Sequence, residues 1–239
     1  MATVVLLRHG RSTANASAVL AGRTPGVGLD DTGRAQAQAV VGRLAEVRFD
    51  RLICSPLQRC QETVAPLAAA TGLPVQTDDR FAEVDYGDWS GRPLAELAKE
   101  PLWRVVQGHP SAAVFPGGEG LAGVSARAVA GIRAQLADSG PDDVLLICSH
   151  GDVIAAILAD ALGLHLDTYQ RLVLSPGSLS IIRYTELRPF VEHVNDTGPL
   201  GTLRRPPAPP ARADPDPRSG PTPDPTTSTS DSVPGGPAR

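Results

Sequence analysis

Three short apolar runs mark the first 150 positions: Val4-Val5-Leu6-Leu7, Arg51-Leu52-Ile53-Cys54 and Val144-Leu145-Leu146-Ile147. Runs of this length, bounded by turn and polar residues, predict strands buried on both faces. A helical pattern follows each one. After the first, Thr32 is placed to cap a helix whose Ala37, Val40, Val41 and Leu44 recur at i, i+3, i+4 and i+7. After the second, Ser55 and Pro56 stand as N-cap and N1, with Leu57, Cys60, Val64 and Leu67 as the inward stripe and Pro66 as a kink. Leu121, Val124, Ala128, Ile132 and Leu136 predict a long helix before the Val144 strand, and Val153 to Leu162 another after it. Strands alternating with such helices give βαβ units, hence an α/β three-layer sandwich: a mostly parallel central sheet with helices on both faces. Ser178 to Arg183 and Phe190 to Val194 predict shorter strands at the sheet's edge, one of them antiparallel. Phe81 to Gly118, with both tryptophans and many turn residues, breaks the alternation and predicts a lid without regular structure.

Composition changes the picture at one end. Eleven of the 23 prolines lie between Arg204 and Arg239, among Ser, Thr, Gly and Asp. Such a mixture has too little apolar surface to offset the entropy of ordering it. The expected organisation is one domain over residues 1–203 and a disordered Pro/Ser/Thr-rich tail over residues 204–239. Before Arg204 there are 17 basic against 22 acidic residues, and from there on 5 against 4. A net-acidic body argues against a nucleic-acid or anionic-membrane partner. Three cysteines without paired C-x-x-C spacing are read as small buried hydrophobes. No segment approaches the ~20 apolar residues of a membrane span, and no basic region precedes Val4 to Leu7. The expectation is a cytoplasmic protein, with a homodimer left open.

Candidate chemistry gathers at the strand ends. Leu6-Leu7-Arg8-His9-Gly10 and Ile147-Cys148-Ser149-His150-Gly151 end two of the predicted strands alike. If these strands are parallel neighbours, both histidines emerge at one rim, beyond the carboxyl ends where open α/β sheets bind ligands. The Ser55-Pro56 turn brings Arg59 to the same rim, on the first turn of a helix whose free N–H groups favour an anion. Arg59 lies off the apolar stripe and so need not be buried. Arg8, Arg59 and a protonated His150 together suit the two charges of a phosphoryl group. His9 would then be the neutral nucleophile, one ring nitrogen held by a hydrogen bond and the other presented to phosphorus. Expelling an alkoxide also needs a proton donor, and the residues alone leave Glu83, Asp85 and Glu119 in competition. His109, His165 and His193 are read as packing residues, Arg11 and Arg23 as surface arginines near the rim, and Tyr86 and Trp89 as packing aromatics.

Five motifs follow one another in order: Arg8-His9-Gly10 with Ser12 and Asn15; Ser55-Pro56 with Arg59 and Thr63; Glu83 before Gly87-Asp88-Trp89-Ser90-Gly91; Phe115-Pro116-Gly117-Gly118-Glu119; and Ser149-His150-Gly151. Over roughly residues 3–194 this order resembles the phosphoglycerate mutase-like branch of the histidine phosphatase superfamily. The resemblance implies a phosphoglycerate mutase-like fold and a phosphohistidine at His9. It implies a phosphate pocket of Arg8, Arg59 and His150 with Asn15 nearby, Glu83 as proton donor, and no metal or cofactor. Arg11 stands where many members carry Glu or Gln, and Ala21 where the mutases carry Ser or Thr before a glycine that resembles Gly22. Between Val84 and Glu119 the cations are Arg92, Lys99 and Arg104, apart from His109. That is thin provision for a second anionic group. The expected function is therefore hydrolysis of a small phosphorylated metabolite, with a phosphomutase using the same phosphohistidine as the alternative. A non-catalytic phospho-ligand module would be expected to have lost His9 or Glu83. A metal-dependent hydrolase would need an H-E-x-x-H or paired-Cys spacing that the chain lacks.

Overall fold

Alternation of side chains along each strand sorts the core into two layers, one on each face of the sheet. The computed structural model describes residues 2–198. The expected tail at 204–239, with the boundary before it, lies outside them. In chain order the elements are β1 (Ala2–Arg8), α1 (Thr13–Ala16), α2 (Asp31–Arg43), β2 (Arg51–Cys54), α3 (Gln58–Thr71), β3 (Val75–Thr77), α4 (Leu94–Leu97), α5 (Pro101–Gly108), α6 (Leu121–Ala137), β4 (Val144–Ser149), α7 (Gly151–Leu162), β5 (Leu179–Tyr184) and β6 (Pro189–Asp196). The sheet order is β3-β2-β4-β1-β5-β6. β1, β2, β3 and β4 pair in parallel, β5 runs antiparallel to β1, and β6 antiparallel to β5. β5 thus alone opposes the common direction, as expected for one of the two late strands, and β5 and β6 form the edge of the sheet beyond β1.

On one face Val5, Leu7, Leu52, Cys54, Leu146 and Cys148 pack with Val40 of α2 and Cys60, Val64 and Leu67 of α3. On the other, Val4, Leu6, Ile53, Leu145 and Ile147 pack with Val124, Ala128 and Ile132 of α6 and the apolar side of α7. The three-layer α/β architecture is therefore present, and fully apolar strands are what it requires.

Three local expectations are corrected. Asp30, not Thr32, caps α2, its carboxylate accepting from Gly33 N at 2.7 Å. α3 begins at Gln58 with Leu57 as N-cap and runs through Pro66 to Thr71. Ser55 does not cap α3: its hydroxyl faces His150 Nε2 at 2.7 Å. The segment from Phe81 to Gly118 is not an unstructured lid. It holds α4, α5 and the 3₁₀ turns Gly87–Trp89 and Pro110–Ala112, and buries Phe81, Val84, Tyr86, Trp89, Leu97, Val106 and Phe115 in the same cluster as Val4 and Leu6. Trp89 stacks on Trp103 at 6.2 Å and meets Phe115 edge-on at 5.2 Å. Elements this short offer at most two turns of helical period, and large aromatics carry much of their burial.

Candidate active site

β1 and β4 are adjacent and parallel, and the register pairs Arg8 with Ser149. One further ladder bond, His9 N to Ser149 O at 3.0 Å, carries both chains past the sheet side by side. His9 and His150 consequently emerge together, their ring centroids 5.2 Å apart. Gly10 is required by closeness: a Cβ there would lie 2.6 Å from the Gly33 carbonyl oxygen. Its N–H donates to Thr63 Oγ1 at 3.0 Å, and that hydroxyl donates to Arg59 O at 2.6 Å. Thr63 thereby joins the His9 turn to α3.

The His9 ring is buried, and its Nδ1 lies 2.7 Å from the Gly10 carbonyl oxygen. A carbonyl only accepts, so Nδ1 carries the proton and Nε2 the lone pair. Burial, and then the nearby Arg59 guanidinium, hold His9 well below its ordinary pKa. Arg59 Nε donates to His9 Nε2 at 3.3 Å, while its Nη2 donates to Gly22 O at 3.0 Å and to His150 Nδ1 at 3.1 Å. Guanidinium is a donor only, so His150 Nδ1 accepts from Arg59, and Nε2 is the nitrogen turned to Ser55. Arg59, expected to need no burial, is 2% exposed. It lies off the apolar stripe because it turns into the site.

Glu83 closes the group, with Oε2 at 3.6 Å from His150 Nδ1 and 3.8 Å from Arg59 Nη2. Its rivals are occupied elsewhere. Asp85 Oδ1 accepts from Gly87 N at 3.0 Å, and Glu119 ties Arg23 and Arg127 together while accepting from Asp85 N. Arg23 Nε and Arg127 Nη2 both donate to the Glu83 carbonyl oxygen, at 2.9 and 3.1 Å. Arg11 pairs with Asp30, the cap of α2. Arg8 is 1% exposed, donates to Leu174 O, and has its pKa lowered by burial against the opposing pull of Glu83 and Asp152. Asn15 spends its side-chain oxygen on a capping box with Ser12 N and Oγ at the start of α1.

A family model for the histidine phosphatase superfamily (branch 1) matches residues 4–197. The chain belongs to that superfamily. A phosphoserine phosphatase 1 of Hydrogenobacter thermophilus is 30% identical over 84% of this chain and 95% of its own length. A glucosyl-3-phosphoglycerate phosphatase of Mycolicibacterium vanbaalenii is 29% identical over 84% and 90%. A Yersinia enterocolitica protein named "Probable phosphoglycerate mutase GpmB" is 33% identical over 78% and 86%. Among solved structures, the alpha-ribazole phosphatase of Shigella flexneri superposes with a TM-score of 0.74 at 27% identity, covering 82% of this chain and 96% of its own. In this histidine phosphatase, then, the expected fold and family hold.

His9, Glu83 and His150 offer ligand atoms within 4.8 Å of one another, a spacing open to a metal ion. The Arg59 guanidinium lies against all three of these residues, 3.3 Å from His9 Nε2, 3.1 Å from His150 Nδ1 and 3.8 Å from Glu83 Oε2. Sequence reasoning missed two buried contributors. Ser55 holds His150, and Asp152 accepts a hydrogen bond from Tyr86 Oη. For Asp152 the signal was there: an acidic residue immediately after Ser149-His150-Gly151, in an otherwise apolar stretch.

Proposed function

We propose that this histidine phosphatase hydrolyses small phosphomonoesters through a phosphohistidine at His9, without a metal. The observation that carries the reading is the His9 ring, kept neutral by burial and fixed through Nδ1 so that Nε2 bears the lone pair. In the first step Nε2 attacks phosphorus and the bond to the ester oxygen breaks, Glu83 giving that oxygen its proton. Arg59 Nε, now on His9 Nε2, moves to a phosphoryl oxygen as the substrate arrives. Arg8, the Asn15 amide and His150 hold other oxygens. In the second step Glu83 removes a proton from water, and the oxygen attacks phosphorus, releasing inorganic phosphate and restoring His9.

Hydrolysis is preferred to phosphoryl return because the insertion supplies little for a second anion. Arg92 is bound to Glu100 at 2.7 Å, and Lys99 and Arg104 are exposed. The three free, buried thiols are in keeping with a reducing, cytoplasmic setting. The test is a phosphometabolite panel run in excess EDTA. Release of inorganic phosphate is the expected result; isomer interconversion without release would replace hydrolysis by mutase chemistry, and loss of activity in EDTA would overturn metal independence.

A further inference from the structure

One buried carboxylate takes no part in that mechanism. Asp152 is 7% exposed and lies in the first turn of α7, directly after the His150 turn. Its Oδ2 accepts from Tyr86 Oη. Tyr86 is itself 1% exposed and sits three residues after Glu83, wedged edge-on against Phe115 at 4.9 Å. Asp152 therefore ties the segment carrying Glu83 to the strand end carrying His150. It also lies close along the fold to Arg8: Ser149, three residues earlier, is the register partner of Arg8, and the Asp152 charge, after that of Glu83, pulls on the buried Arg8 guanidinium. Burial and the Asp152 charge push the Tyr86 phenol well up, so it stays protonated and donates to an anion.

A buried carboxylate this close to an anion pocket is costly unless its charge is used. We propose that Asp152, held by Tyr86, is a positioning residue that acts through Arg8 to weaken the pocket's hold on phosphate and so to let the product leave. It cancels part of the Arg8 charge, leaving a pocket that attracts a dianion without trapping it. Tyr86 moderates this, because its hydroxyl draws some of the carboxylate's charge onto itself. The two side chains then work in opposite directions on phosphate affinity, which a packing role for the pair would not produce.

The inference rests on the phosphatase reading of the site, but its test needs no turnover: calorimetric titration of the full chain with inorganic phosphate at pH 8. Asp152→Asn keeps the shape and an acceptor for Tyr86 while removing the charge, and is expected to tighten phosphate binding about tenfold. Tyr86→Phe leaves the full carboxylate charge on Arg8 and is expected to loosen binding about threefold. Both shifts are expected to vanish when Arg8 is replaced by Gln, as coupling through Arg8 requires. Loosening in both variants, or shifts that persist without Arg8, would overturn the proposal in favour of plain packing. Should Asp152→Asn fail to fold, Tyr86→Phe with and without Arg8→Gln decides alone. Unchanged phosphate affinity there sinks the proposal. Phosphate binding as expected in a chain that hydrolyses nothing would sink the phosphatase reading instead.

Discussion

The two turns Arg8-His9-Gly10 and Ser149-His150-Gly151 are nearly the same words at the ends of neighbouring strands, yet the fold gives them different chemistry. His9 has its Nδ1 against a backbone carbonyl of its own turn, which fixes the proton there and leaves Nε2 to face the site. His150 has both nitrogens engaged by side chains from elsewhere, Ser55 on one and Arg59 on the other. One ring is held by the main chain and keeps a lone pair forward. The other is held between side chains from two separate elements, the end of β2 and the first turn of α3. The difference lies in what each nitrogen meets rather than in the tripeptide itself.

Substitutions at the two turns should separate these roles. The largest effect is expected from His9→Ala, with turnover down by at least about 10³-fold and no phosphoenzyme on gels run after an alkaline quench, which spares the acid-labile P–N bond; near-normal turnover would reverse the assignment of the two rings. Glu83→Gln is expected to cost about 10²–10⁴-fold for alkyl phosphates and far less for p-nitrophenyl phosphate, whose leaving group needs no proton. An equal loss for both would remove Glu83 from the acid role. His150→Gln should lower kcat by about 10²-fold while the phosphoenzyme still forms slowly, since the nucleophile is intact. Ser55→Ala, which frees only one nitrogen of His150, is expected to cost about tenfold. The smallest signal is in stability. A buried His9 held below its ordinary pKa stays neutral in the folded chain, while the unfolded chain binds that proton below about pH 6.5. Stability is thus lost as pH falls through that window, and His9→Gln should flatten the acid side of a Tm-against-pH curve.

The parts legible in the sequence were those written in local residue patterns. Val4 to Leu7, Arg51 to Cys54 and Val144 to Ile147 read as strands because burial on both faces demands unbroken apolar runs. Arg8, His9, Arg59 and His150 followed from where those runs stop. Helix starts were misread at Thr32, where Asp30 two residues earlier is the cap, and at Ser55, where a hydroxyl before a helix says nothing of a competing partner brought in by tertiary structure: His150 from 95 residues away. The residues from Phe81 to Gly118 hid their order because aromatic packing, not period, holds them. Glu83 could be told from Asp85 and Glu119 only by the family pattern, until geometry gave the other two their own partners. Asp152 and Tyr86 were missed because a carboxylate in a first helical turn and a tyrosine in a core each have an ordinary explanation taken singly.

The strand order has a consequence for how the protein is made. β4 lies between β2 and β1, so the last strand to leave the ribosome among the central three is the one that joins the other two. A nascent chain that ends before residue 144 has His9 and Arg59 but lacks the strand that joins β1 to β2 in the sheet, and with it His150. Fragments released early should therefore neither bind nor sequester phosphate esters, and activity during synthesis should appear as a single step once the strand from Val144 to Ser149 has docked.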